Sequence, residues 1–273
     1  MTCCTASRAS ASASLHSRLS ILRARFSLAI AALPPPSAMM TASTAACQPL
    51  WPLHAGAVRL VSPLDCKCYR RGHSMIIGKP ALIIHEMQKF VVDPQYAGFP
   101  ALANQVTERG IAKKISALAD AFRKAGAPVF HTPARGRADR KDVKVNTLIA
   151  AMSMKGTPLP ADHPAQAYVE GCEFHEGDFE IPRSSGMTAM VGTQLDTLMR
   201  RMGIETVVVT GVSVNVGVAG NVMVASELGY HVLVPDDCVA ASDMETHRAI
   251  VDNQMRMIAR VAQSEDVIAA LAN

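Results

Sequence analysis

An α/β fold, with a doubly wound and mostly parallel sheet between two layers of helices, is predicted for residues 75–273 of this 273-residue chain. Three observations predict it. Short apolar or β-branched runs (Ala81–Ile84, Thr206–Thr210, His231–Pro235) read as strands covered on both faces. Segments with apolar residues at helical spacing separate these runs. Glycine or proline stands at most of the junctions. Alternation of this kind gives a three-layer, Rossmann-like α/β/α architecture with right-handed crossovers.

The first strand, PALIIHE, ends abruptly in His85 and Glu86. A polar loop leads to Asn104–Gly126, where Val106, Ile111, Ile115, Leu118, Ala119 and Phe122 predict one helix closed by Gly126. Pro128–Thr132 is the second strand. Residues 133–180 are polar and rich in Pro and Gly, with an apolar patch at Leu148–Met154, and a loop this long reads as a lid or binding segment. A third strand is expected near Ile181 and Pro182. Gly192–Gly203 follows as a helix, then the strand TVVVT, a small-residue helix over Asn215–Gly229, and the strand HVLVP. Met244–Ala262 reads as one further helix and Glu265–Leu271 as a short last one.

The segment before Met75 differs in kind. Residues 1–74 hold eight basic residues and one acid, Asp65, which leaves 19 basic and 22 acidic residues in the remainder. The sequence pI of 8.7 therefore describes the N-terminal segment, and no nucleic-acid-binding surface is expected of the folded part. Few acids, many Arg and Ser, and an apolar stretch at Phe26–Leu33 are the composition of an organellar transit peptide. A secretory signal fits less well, and an upstream-extended reading frame with Met75 as the true start is the third alternative. A disordered or transit-like extension is expected for 1–74 and a single domain for 75–273. The expected location is cytoplasmic, or mitochondrial where the segment is a genuine transit peptide. No apolar run reaches the roughly 20 residues that span a bilayer, so no membrane partner is expected. Five of the seven cysteines precede Met75, and Cys172 and Cys238 alone remain, which is a reducing-compartment pattern.

Open parallel sheets bind ligands beyond the carboxyl ends of their strands. Three segments should meet there: His85–Gln88, Gly211–Val218 and Asp236–Cys238, with Arg183–Gly192 approaching from a fourth. Glu86 stands where a carboxyl group would do chemistry, although a Glu that merely opens a loop would look the same. His85 reads as a satisfied core histidine. His131, ending the second strand, is a neighbour that would orient substrate. Gln88 would either hydrogen-bond a substrate oxygen or cap its loop. Asn215, Val216 and Gly217 open a helix whose amides offer an anion or oxyanion site, while the small residues Gly217, Ala219 and Gly220 equally suit close packing on the sheet. Asp162, His163 and His175 lack ligand spacing, so no metal is expected. No G-x-G-x-x-G follows the first strand, so no nucleotide or flavin cofactor is expected either.

Taken together, IHEMQ, GTQLDTL, GVSVNVGVAGN and GYHVLVPDDCVAAS resemble the isochorismatase-like hydrolases, also called the cysteine hydrolase superfamily, from about Lys79 to Ala262. The resemblance implies a hydrolase of a small metabolite, and relatives that are often dimers or larger. The amide-cleaving members use an Asp after the first strand, a Lys, and a Cys at a helix start. The Asp position is matched here by Glu86. The Cys position falls on Gly217, which removes thioester chemistry from that position. The Lys position falls on Ser184, with Arg183 one residue away and able to clamp a carboxylate. Isochorismatases proper carry Gly at the Cys position and cleave an enol-pyruvyl ether with a carboxyl group as the acid.

Three readings follow. The first is a hydrolase working by acid catalysis without a covalent intermediate, with Glu86 as proton donor and Arg183 as carboxylate clamp. The second is a family member without catalysis, retained as a small-molecule binding or assembly module. The third, a cysteine amidohydrolase using Cys238, is the weakest, since Asp236 and Asp237 would hold that thiol protonated. A composition of 49% hydrophobic and 18% charged residues suits a buried subunit interface, and a homo-oligomer is expected.

Overall fold

The computed structural model describes residues 74–184 and 187–272. The N-terminal expectations for 1–73 lie outside the described residues. Seven strands form one sheet in the order β3-β2-β1-β4-β5-β7, and every pairing between them is parallel. The strands are β1 (Lys79–His85), β2 (Val129–Thr132), β3 (Phe179–Glu180), β4 (Ile204–Val212), β5 (His231–Pro235), β6 (Val239–Ala240) and β7 (Arg260–Ala262). β6 takes over from β5 beside the second half of β4, pairing Gly211 with Val239 and Val212 with Ala240.

Helices cover both faces, as the sequence predicts. One face packs α5 (Leu195–Arg201), α6 (Ala219–Glu227) and α7 (Met244–Ile250) against Ala81, Ile83, Phe130, Val207 and Val209. The other packs α2 (Pro100–Glu108), α3 (Ile111–Lys124) and α9 (Ser264–Leu271) against Leu82, Ile84, Val129 and Val208. Successive residues of β1 thus feed opposite cores, which is why its apolar run is continuous rather than alternating. Full burial of each such Leu or Ile stabilises the fold by about 1.5–3 kcal/mol.

Two elements depart from the predicted ones. The helix expected over Asn104–Gly126 is two helices, because Gly110 adopts a left-handed conformation (φ 61°) and turns the chain between α2 and α3. Gly126 does close α3 as expected. The helix expected over Met244–Ala262 ends early: α7 runs into a wide π-type turn at Val251–Met255 and the short α8 (Arg256–Ile258), and Arg260–Ala262 leaves as edge strand β7 beside β5. Hydrogen bonding to an open sheet edge outweighs helical periodicity there. The third strand expected near Ile181 and Pro182 is β3, Phe179–Glu180.

The apolar patch in the long segment is helix α4 (Leu148–Lys155), with no buried residue, and α1 (Lys89–Val92) is a single turn after β1. Among the described residues, no helix is long and apolar enough to cross a membrane.

Candidate active site

From β1 the chain winds outward through β2 and β3, then returns to β4 on the other side of β1 and winds outward again. The switch point of the sheet is therefore the crevice at the carboxyl ends of β1 and β4, where such folds bind ligands. Glu86 leaves β1 there, and the turn at Val214–Val218 leaves β4 there. The register makes the two ends adjacent, because His85 pairs with Gly211. Gly211 (φ 99°) has no room for a side chain, since a Cβ would lie 2.0 Å from the His85 carbonyl oxygen.

Glu86 itself has φ 52°, a backbone conformation uncommon for a residue with a side chain and concentrated at functional sites. The turn points its carboxyl group at Arg183, whose Nη2 donates to Oε1. Arg183 is buried, and loss of solvent lowers its pKa to about 10. It is delivered by backbone pairing: Ala134 bridges it in parallel, the Arg183 amide donates to the Pro133 carbonyl (3.1 Å), and the Arg135 amide donates to the Arg183 carbonyl (2.8 Å). The predicted pair Glu86 and Arg183 is thus brought into direct contact.

His85 lies wholly inside the cluster. Its Nε2 is 3.3 Å from Arg183 Nη2, and its Nδ1 is 2.8 Å from Thr132 Oγ1 and 3.1 Å from Asn221 Nδ2. Burial, and then the neighbouring Arg183 charge, hold its pKa well below the ordinary 6.5, so the ring is neutral. Asn221 is fixed by four contacts: Nδ2 donates to the Gly217 carbonyl (2.8 Å) and faces His85, while Oδ1 accepts from the Ala189 amide (2.8 Å) and Thr188 Oγ1 (3.0 Å). Neither His85 nor Asn221 stands among the predicted site residues. A signal for Asn221 existed, because an Asn amid small apolar residues in a helix interior goes against helix propensity.

Gly217 is buried against this imidazole. Close packing, one of the two roles expected of these small residues, is present: Gly220 also presses on the Met187 carbonyl, where a Cβ would stand 3.3 Å away. Two predicted roles are corrected here. The Val216 amide donates to the Ser213 carbonyl (3.1 Å), so the turn itself consumes it. Asn215 is exposed at the wide turn Val214–Val218, which displaces the start of α6 to Ala219. Gln88 is buried with its amide spent on the backbone of Ala134, which makes it a loop brace rather than a substrate ligand.

His131 is corrected as well. It shares the β2 face of Val129, away from His85 and Thr132, and its Nε2 lies 3.0 Å from Asp178 Oδ2, which Arg123 also holds (2.8 Å). Its ring is enclosed by Tyr168 and Phe174. A cleft of about 390 Å³ between Lys79, Arg123, Val129 and Asp178 opens at the amino-terminal ends of the strands. The switch point lies at the opposite edge, and the geometry of the sheet favours that edge for chemistry. Cys238 and Cys172 are buried, and burial raises both thiols, Cys172 to about 12. Among the described residues no group of three or more His, Cys, Asp or Glu converges on a metal position.

Comparison with known proteins bears on this arrangement. The family model described as the isochorismatase domain matches residues 80–266. The chain belongs to the isochorismatase family of hydrolases. An uncharacterized isochorismatase family protein of Escherichia coli O157:H7, YecD, is 30% identical over 198 residues, covering 70% of this chain and 95% of its own. The fold matches an isochorismatase family protein from Desulfovibrio vulgaris (TM-score 0.63, 24% identity, covering 71% of this chain and 99% of that one). It also matches a cysteine hydrolase from Pseudomonas syringae pv. phaseolicola (TM-score 0.64, 19% identity, covering 74% and 98%).

Proposed function

We propose that this isochorismatase-family chain hydrolyses a small anionic metabolite by carboxyl acid catalysis, with an enol ether or a related C–O or C–N bond as the target and no cysteine nucleophile. The observation that carries the reading is the contact between Glu86 and Arg183 at the switch point, beside a residue 217 that has no side chain. A guanidinium in contact favours the ionised carboxylate. A substrate carboxylate that takes the Arg183 fork bidentately removes that cation from Glu86 and places an anion nearby. Both changes favour the protonated carboxyl, so substrate binding itself arms the acid.

With an enol ether, Glu86 delivers its proton to the terminal alkene carbon. The resulting oxocarbenium ion lies beside the new carboxylate, which stabilises it and takes a proton from the water that attacks. The hemiketal so formed collapses to ketone and alcohol. Atoms balance with water as the only co-reactant, so the reading calls for no cofactor. A homo-oligomer belongs to the same reading, because the apolar residues Leu148, Ile149 and Met152 of α4 stand in solvent. So does a cytoplasmic location, supported among the described residues by the free thiols of Cys172 and Cys238.

The second reading, a binding module, is favoured by the absence of both Lys and Cys at the family positions. Purified full-length chain, screened against enol-ether and amide substrates with ligand-induced thermal shifts alongside, separates the two. Turnover abolished by Glu86→Gln with ligand binding retained supports the hydrolase. Binding without turnover by the unaltered chain supports the module, and full turnover by Glu86→Gln refutes the acid role.

A further inference from the structure

His85 is the group in this cluster to which the proposed reaction gives no task. Its ring is wholly buried at the point where β1 meets β4. One edge is anchored, with Nδ1 held between Thr132 Oγ1 and Asn221 Nδ2, and Asn221 is itself fixed by the Gly217 carbonyl and the Ala189 amide. The other edge meets two features of the site. Nε2 stands 3.3 Å from Arg183 Nη2, the atom that holds Glu86. It also abuts Gly217: a Cβ built there would lie 2.4 Å from Nε2 and 2.6 Å from Cδ2, closer than real side-chain carbons approach. The Nδ1 contacts to Thr132 and Asn221 hold the ring in this orientation. A ring at 85 and any side chain at 217 therefore compete for one volume.

We propose that His85 is a positioning residue that fills the space a residue-217 side chain would occupy and sets the Arg183 guanidinium against Glu86. The glycine at 217 is then half of a matched pair, with the imidazole as the other half. The packing half of this inference stands on geometry alone. The Arg183 half rests on the proposed reading of Arg183 as a carboxylate clamp.

Two measurements on the full-length chain test it. In a thermal-stability cycle, Gly217→Ala is placed in the wild type and in His85→Ala. His85→Val, β-branched and suited to a strand, gives a second background should the alanine variant not fold. Gly217→Ala is expected to lower Tm by roughly 5 °C or more beside the imidazole and by less than half as much without it. A double variant that folds where Gly217→Ala alone does not is the same result in stronger form. An equal or larger loss in the His85-substituted background overturns the proposal.

The second measurement is calorimetric titration with pyruvate as a small carboxylate probe. His85→Val is expected to weaken binding about tenfold, and His85→Gln, whose amide reaches the Nε2 position, to stay within about threefold of wild type. A general loss of structure would not separate Val from Gln in this way. Wild-type affinity in His85→Val overturns the positioning of Arg183. A wild-type chain that does not bind pyruvate counts against the carboxylate clamp, and the stability cycle then decides the inference by itself.

Discussion

Gln88 and Ala134 are joined by a reciprocal pair of hydrogen bonds: the Ala134 amide donates to Gln88 Oε1 (2.8 Å), and Gln88 Nε2 donates to the Ala134 carbonyl (3.1 Å). Because Ala134 also bridges Arg183, this side-chain amide ties the loop after β1 to the segment that carries the arginine. Removing it strands a backbone donor and an acceptor in a part-buried position. Gln88→Ala is therefore expected to cost about 2–3 kcal/mol in urea unfolding. Gln88→Glu, which can accept from the Ala134 amide but not donate to its carbonyl, should lose about half of that. An alanine variant as stable as wild type would show that water replaces both bonds.

The Glu86–Arg183 contact makes a sharper prediction. Arg183 is almost fully buried and Glu86 about four-fifths so, with side-chain exposures of 6% and 21%. Arg183→Ala leaves a largely buried carboxylate without its cation, and a stability loss of about 2 kcal/mol is expected. The variant Arg183→Lys keeps the charge but gives up the planar fork. It should recover most of that stability while weakening an anionic substrate about tenfold, seen as a raised KM with kcat little changed. Equal substrate binding by Arg and Lys at this position would mean that charge, not bidentate geometry, does the holding.

The architecture was legible because burial on both faces writes itself into β1, β4 and β5 as uninterrupted apolar or β-branched residues, and their ends mark the switch point. Glu86 could be found for that reason: it is the carboxyl group at the end of such a run. The breaks were not legible. The end of the long helix at Ile258 is decided by an open edge of β5 far away in sequence, and no local periodicity reports that. Within the site, side-chain direction was the missing information. His131 and Thr132 are neighbours in the chain yet serve opposite faces, so the residue facing His85 is Thr132. Asn215 and Asn221 both stand near the helix start, and a wide π-type turn, which no sequence rule anticipated, put the second rather than the first into the cluster.

Cys238 offers a clean negative expectation. Its thiol is buried, and burial together with the Asp237 charge pushes its pKa up, which is the opposite of what an attacking thiolate needs. Cys238→Ala should leave any hydrolytic activity within about twofold of wild type. Neither Cys238 nor Cys172 should react with iodoacetamide in the native chain. Loss of activity on alkylating or replacing Cys238 would restore the cysteine mechanism.

Stability should fall as the solution is acidified below neutrality, well before the carboxylates titrate. Burial is the main reason that the pKa values of both His85 and His131 lie below the ordinary 6.5, with Asp178 opposing the shift at His131. In the unfolded chain both rings bind a proton as pH drops through about 6.5, whereas in the folded chain they resist it. The unfolded state then binds more protons, so unfolding free energy rises with pH across this window and declines on acidification, by up to about 1.4 kcal/mol per pH unit for each ring. The loss for each ring levels off once the pH is below its folded-state pKa. The carboxylate of Asp178 belongs to a lower window: burial raises it, but bonds from Arg123, the His175 amide and His131 outweigh that and hold it below the usual range, so its contribution fades only as pH falls through that depressed value. Urea midpoints at pH 7.5, 6.5, 5.5 and 4.5 should therefore decline from the second point onward. Replacing His131 by Phe, which suits a pocket lined by Tyr168 and Phe174, should remove one proton from the slope. A profile flat from pH 7.5 to 5, or an unchanged slope in His131→Phe, would show that these rings are not held neutral by the fold.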